Sequence, residues 1–277
     1  SAAAAAAALL AGLVSTSAFA ADTPDNPEAA GSPIAANVTV VSDYRYRGIS
    51  QSNFKPAIQG GFDYAHESGF YIGNWNSSIS WVSDAYNTSG GVRTSAPLEM
   101  DFYGGFKKEL IAPGFASDIG VLQYAFPTAG NLTYVNPNTT ELYAAQNFTF
   151  GPVTGFAKFS YALSNLFGFY QSAGSYYPDL TLNYDTGVWG LSLNGHVGYQ
   201  YVSNTQTLSG VAYNFSYTDW KLGLTKDFGG GLSGNLSYVG TTSPKANGSY
   251  LWYVPTGNAT SKSAGQGGAL VSLTKTF

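Results

Sequence analysis

The sequence predicts an all-β fold: a transmembrane, antiparallel, up-and-down β-barrel of twelve strands. Three observations carry that expectation. Composition is the first: 44% of the 277 residues are apolar and 16% aromatic, but only 10% are charged. Soluble domains carry about 25% charged residues, whereas a helical membrane protein would be far more apolar than this chain, whose mean hydropathy is near neutral. A wall with one face to lipid and one to water lies between those extremes. The second is a period of two that runs through the chain from residue 37. The third is loop length, which alternates between short and long connections.

The first element is not part of that wall. Residues 1–20, SAAAAAAALLAGLVSTSAFA, contain a thirteen-residue Ala/Leu/Gly/Val run that ends in the small-x-small tripeptide Ala18-Phe19-Ala20. That is the core and cleavage region of a secretory signal peptide, and it is too short for the roughly 20 residues of a spanning helix. Residues 21–36 are rich in Pro, Asp and Ala and read as a linker or tail, and residues 37–277 as the barrel.

Successive side chains of a strand point to opposite faces of its sheet. In NVTVVSDYRYR, Val38, Val40, Tyr44 and Tyr46 share one parity, and Thr39, Asp43, Arg45 and Arg47 the other. Eleven further strands are expected near 57–66, 70–82, 98–108, 115–126, 140–150, 153–163, 177–186, 188–202, 213–226, 232–242 and 266–277. The clearest are LEMDFYGGF, WGLSLNGHVGYQY and DWKLGL, where Glu99 and Asp101, Asn194 and His196, or Asp219 and Lys221 alternate with large apolar residues. The strand near 115–126 is ambiguous, because Asp118 and Gln123 have opposite parity. Turns such as HESG, Gly151-Pro152, Asp185-Thr186-Gly187 and FGGG are short, while the connections at 83–97, 127–139, 164–176, 203–212 and 243–265 are long and polar. Outer-membrane barrels segregate their loops in this way, with short periplasmic turns and longer outer loops.

A charge on the lipid face costs about 2–4 kcal/mol at mid-membrane. Asp43, Arg45 and Arg47 are therefore expected to line the lumen, with Tyr44 and Tyr46 facing lipid. By the same rule Asp63, Glu99, Asp101, Lys107, Glu141, Lys158, His196, Asp219 and Lys221 are read as pore-lining. Trp75, Trp81, Trp189 and Trp220 are expected in two aromatic girdles on the outer wall. Twelve strands lie between filled eight-stranded and open sixteen-stranded barrels, so a narrow water path is expected. The Gly-Gly pairs at 60–61, 104–105 and 267–268 are expected to permit close packing within strands.

The motifs NVTVVSDYRYRGIS and GGFDYAHESGFYIG resemble the opening strands of the TorF family of porins. Ser42, Asp43, Tyr44, Arg47, Gly48, Ser50, Pro56, Gly60, Gly61, Tyr64, Gly69, Tyr71 and Gly73 carry the likeness, and it extends over about residues 37–277. It implies an outer-membrane barrel with pore activity. The alternating last strand, GGALVSLTKTF, ends in Phe277 and resembles the signal read by the bacterial outer-membrane barrel assembly machinery, although Lys275 stands where that signal is usually apolar.

Expected partners are thus outer-membrane lipid, the assembly machinery and small solutes. A net charge of −4 without basic runs argues against nucleic acid. No cofactor is expected, and the absence of cysteine removes thiol chemistry. The favoured reading is a passive channel for small hydrophilic solutes or ions, not an enzyme. Two alternatives stay open: a closed structural or surface-interaction barrel, and an outer-membrane hydrolase using Asn194 and His196. The hydrolase lacks its serine, because the position two residues after His196 is Gly198.

Overall fold

Twelve antiparallel strands close on themselves in a computed structural model that describes residues 33–87, 95–128, 136–208, 211–246, 249–250, 253–254 and 262–277. The expected signal peptide and nearly all of the expected tail lie outside the described residues. The strands are β1 (Ile34–Val41), β2 (Ala57–Ala65), β3 (Phe70–Ser78), β4 (Leu98–Ala112), β5 (Phe115–Ala125) and β6 (Thr139–Phe150). They continue as β7 (Val153–Ala162), β8 (Tyr176–Asp185), β9 (Leu191–Gln200), β10 (Tyr217–Gly229), β11 (Leu232–Thr241) and β12 (Gly268–Thr276). Each pairs with its neighbours in sequence, and β1 pairs with both β2 and β12 to close the ring. Closure leaves no unpaired strand edge.

The register carries the two faces from strand to strand. Val40 lies between Ile58 and Leu273, all outward and each more than half exposed. One step away, Thr39 lies between Gln59 and Thr274 on the inner face, and its hydroxyl is 2.8 Å from that of Thr274. Phe62, Ile72, Phe102, Ile119, Leu142, Leu222 and Leu236 continue the outer apolar band. β5 resolves its ambiguity in favour of Asp118, which is buried inside, while Gln123 turns outward near the strand end and bonds Thr140 on β6.

The structure corrects the sequence reading at the start of the chain. β1 begins at Ile34 rather than near 37 and ends at Val41 rather than running on through Arg47. After it the chain folds into the barrel as a small hairpin, with Arg45–Tyr46 paired to Ile49–Ser50. The two turn residues, Arg47 and Gly48, have φ of 44° and 78°. Two successive positive φ values are those of the tight hairpin turn whose twist matches paired strands. A Cβ on Gly48 would also meet Thr241 Cγ2 at 2.4 Å and Asp219 Cβ at 2.8 Å. The alternation that reads as a wall strand is therefore that of a hairpin inside the wall. Tyr44 and Tyr46, expected to face lipid, are buried in the lumen.

The tryptophans need a second correction. Trp189, in the β8–β9 turn, and Trp220, stacked on Tyr238 near the opposite end, lie on the outside. Trp75 instead faces the interior and is buried. Trp81 opens the short helix α1 (Trp81–Asn87) and packs edge-on against Phe126 at 5.3 Å. With Tyr46, Tyr124 and Phe167 it forms an aromatic cluster at the long-loop mouth.

Placing a charge in the outer band is expected to destabilise the protein, and Leu222 lies midway along β10. Leu222→Arg should lose about 2–4 kcal/mol of folding free energy in lipid vesicles, while Leu222→Val should change little. Equal stability of the Arg variant and the wild type in reversible denaturant titrations would contradict a lipid-facing wall.

Candidate functional site

The hairpin is held by its own residues and by the far wall. Asp43 accepts from Arg45 Nε at 2.5 Å and from the Ser50 and Ser52 hydroxyls at 2.6 and 3.1 Å. Arg45 also donates to the carbonyls of Gly48 and Gln266 at 2.9 and 3.0 Å. These bonds set the hairpin's shape. Its outer contacts set its place. The Tyr44 hydroxyl donates to Glu99 on β4, and burial pushes the phenol well above its ordinary pKa, so it remains a donor. The Tyr46 hydroxyl donates to Tyr124 on β5 at 2.9 Å.

Arg47, at the hairpin tip, reaches furthest. Its two terminal nitrogens meet the two Glu141 oxygens on β6 at 3.1 and 2.7 Å. One of them also donates to Gln200 Oε1 on β9 at 2.7 Å. The guanidinium lies over the Tyr177 ring of β8 at 4.2 Å and the Tyr46 ring at 4.8 Å. A parallel Arg–carboxylate fork is among the strongest polar contacts available to side chains, and an aromatic face adds to it. The ion pair is fully shielded, with the Arg47 side chain 0% and the Glu141 side chain 3% exposed. Glu99, Asp101, Tyr124 and Tyr177, packed around this level, are also buried, so the hairpin fills the lumen there.

Around and below the hairpin the inner wall repeats one device. A tyrosine lies across a glycine on the next strand and reaches a carboxylate on the strand beyond. Tyr103 of β4 covers Gly73 of β3 and donates to Asp63 of β2 at 2.5 Å. Tyr177 of β8 covers Gly198 of β9 and donates to Asp219 of β10 at 2.8 Å. Tyr71 of β3 covers Gly105 of β4 and donates to Asp118 of β5 at 2.7 Å, and its hydroxyl also bonds that of Tyr143 of β6, which covers Gly120 of β5. A side chain at any of these glycines would collide with its tyrosine, since a Cβ on Gly198 would lie 2.1 Å from the Tyr177 hydroxyl.

His196 is set between strands. Its Nε2 lies 2.9 Å from Tyr177 and 3.0 Å from Asp219, and its Nδ1 lies 3.0 Å from Thr181. Lys158 is the cross-strand partner of Asp179, and Lys221 that of His196, on the same inner face. Lys107 sits lower, at the short-turn end, in a small cavity of about 60 Å³ lined also by Glu109, Asn147, Thr149, Thr154 and Asn183.

The twelve residues picked out by parity therefore fall in two groups. Asp43, Arg45 and Arg47 are on the hairpin; the rest stand on the inner wall. The structure adds Asp118, Asp179, Gln200 and the tyrosines at 44, 46, 71, 103, 143 and 177. Asp179 was detectable, because it alternates with Leu180, Leu182 and Tyr184. It implies an inward Tyr177 at the same parity. Among the described residues no group of His, Cys, Asp and Glu is arranged to hold a metal ion.

The family model described as "Bacterial protein of unknown function (Gcw_chp)" matches residues 25–277. No curated protein sequence matches the chain. Its fold is similar to that of a KdgM porin, with a TM-score of 0.52 at 6% identity over 88% of this chain and 99% of that one. It is similar to a NanC porin with a TM-score of 0.52 at 7% identity, covering 87% and 98%. A KdgM porin in complex with disordered oligogalacturonate gives a TM-score of 0.51 at 7% identity, covering 88% and 98%.

The ion pair at the hairpin tip yields a stability test. Glu141→Ala strands a buried guanidinium and should cost about 3–5 kcal/mol. Replacing both partners, as in Arg47→Met with Glu141→Leu, should restore most of that loss. Denaturant titrations followed by tryptophan fluorescence measure both; a double variant as weak as Glu141→Ala would mean the ion pair is not what is lost.

Proposed function

We propose that this chain, which belongs to the Gcw_chp family of bacterial proteins, is an outer-membrane porin-like channel for passive diffusion of small hydrophilic solutes or ions. The observation that carries the reading is a closed barrel with an apolar outside and a polar, charged inside. Such a wall has no use in water, because it exposes large apolar side chains on its whole outer face. The resemblance of residues 42–73 to the TorF family of porins supports the same reading, as does the fold shared with the KdgM and NanC porins. In this reading Asp43, Arg45, Arg47, Asp63, Glu99, Asp101, Lys107, Glu141, Lys158, His196, Asp219 and Lys221 line the solute path.

Conduction requires the hairpin to yield, since it fills the lumen where it docks. That same filling favours a second reading, a closed structural barrel whose long loops act at the surface. The hydrolase alternative loses support. Asn194 bonds Asn183, Thr225 and Asn235 rather than His196, and the space a serine at 198 would need holds the Tyr177 hydroxyl. Oligogalacturonate, the ligand of one similar porin, does not transfer easily to this chain. Among the described residues, the buried inner wall presents seven carboxylates (Asp63, Glu99, Asp101, Asp118, Glu141, Asp179, Asp219) against two lysines (Lys158, Lys221). A polyanion would meet repulsion along such a path.

Export through a cleaved signal over residues 1–20 and insertion by the assembly machinery complete the proposal. Support for insertion comes from Phe277, exposed at the end of β12, with its backbone N–H bonded to Ala36 O at 2.9 Å to seal the seam.

Single-channel recordings in planar bilayers test the channel. The wild type should show small conductance, and Arg47→Ala with Tyr44→Phe should raise it several-fold. Reversal potentials in a salt gradient should then favour cations more strongly. Silence in every variant would remove the channel and leave the closed barrel.

A further inference from the structure

The site that receives the tip of the hairpin has its own architecture, independent of Arg47. Glu141 presents both carboxylate oxygens, and the Tyr124 hydroxyl lies 3.4 Å from one of them. Gln200 presents its carbonyl oxygen because its amide nitrogen is held by the carbonyls of Tyr176 and Tyr201 at 3.3 and 3.0 Å. Tyr177 presents its ring face because its hydroxyl is fixed by Asp219 and His196 at 2.8 and 2.9 Å. A forked acceptor, a further acceptor in reach of the same fork and an aromatic platform match a planar, weakly hydrated cation. A small hydrated ion such as sodium would gain little from the ring and the fork.

The two hairpin arginines differ in a telling way. Arg45 is bonded within its own hairpin, to Asp43 and Gly48, and to the Gln266 carbonyl. Arg47 spends its terminal nitrogens on β6 and β9. Arg45 shapes the hairpin; Arg47 docks it. Removing the hairpin would leave an inner wall that is formally acidic, with the Glu141 fork facing the lumen.

We propose that the Glu141–Gln200–Tyr177 pocket is a binding site for small guanidinium-bearing solutes, and that Arg47 is its tethered occupant. A solute with the same head group competes with Arg47 and so frees the hairpin while itself entering the path. The proposal rests on the channel reading for its transport role, but the site itself is a matter of binding alone.

The probe is methylguanidinium, compared with methylammonium and sodium at equal ionic strength. Two readouts are made on the purified full-length barrel: thermal unfolding in detergent and current in planar bilayers. Arg47→Ala should unfold at lower temperature than the wild type. Methylguanidinium at millimolar concentration should recover much of that loss, with an apparent affinity roughly tenfold above methylammonium. It should also block the current of Arg47→Ala. Arg47→Ala with Glu141→Gln should respond to neither, and Arg45→Ala should show no methylguanidinium-specific rescue. If Arg47→Ala does not fold, Arg47→Gln keeps the bulk of the side chain and serves in its place. Equal responses to the three cations, or an undiminished response without Glu141, would overturn the proposal. Specific rescue without current in any variant would keep the site and remove the channel; current without specific rescue would do the reverse.

Discussion

Backbone N–H and C=O groups inside a bilayer find no partner in lipid, so each must be paired within the wall. That constraint selects the closed ring, and the ring then dictates everything inside it. With strict alternation, each strand that turns one side chain to lipid turns the next toward a space only twelve strands around. Charges excluded from the outer face gather in that space and need partners there. The tyrosine–glycine–carboxylate arrangement answers this need. The glycine gives the ring room to lie flat against the wall, and the hydroxyl satisfies a carboxylate two strands away.

The hairpin adds a second solution to the same problem. Arg47 brings a positive charge to a predominantly acidic wall without giving any strand a basic residue at that level. Its partner Glu141 is thereby satisfied by a group carried on the hairpin, unlike Asp63 or Asp219, whose tyrosines belong to the ring itself. The wall and the insert are thus built from the same kinds of contact, and they differ in whether the donor sits on a barrel strand.

Much of this was legible in the sequence, and particular residues mark where legibility ends. Asp219-Trp220-Lys221-Leu222 declares its faces, because each charge is followed by a large apolar residue. Parity likewise places Glu99, Asp101, Glu141 and Lys158. It fails at Tyr44 and Tyr46, since period two describes a hairpin inside the barrel as well as a strand in its wall. The distinguishing signal was Arg47-Gly48, an X-Gly pair able to take two positive φ values. It also fails for Trp75, because aromatic rings suit both a lipid interface and a crowded lumen. Gln200 carries no local sign of its role, which exists only because β9 stands four places round the ring from β1, within reach of the hairpin tip.

The hairpin also imposes an order of events on the newly made chain. Arg47 meets Glu141 and Gln200, which lie 94 and 153 residues further along. Contacts so distant in sequence come late, after the entropy of closing large loops has been met. The first strand of the ring is completed by the last, so the segment attached to β1 has no far wall to dock on until β6 and β9 have arrived. The hairpin is made early but can be seated only against strands made much later, so its docking depends on a wall that the rest of the chain must first supply.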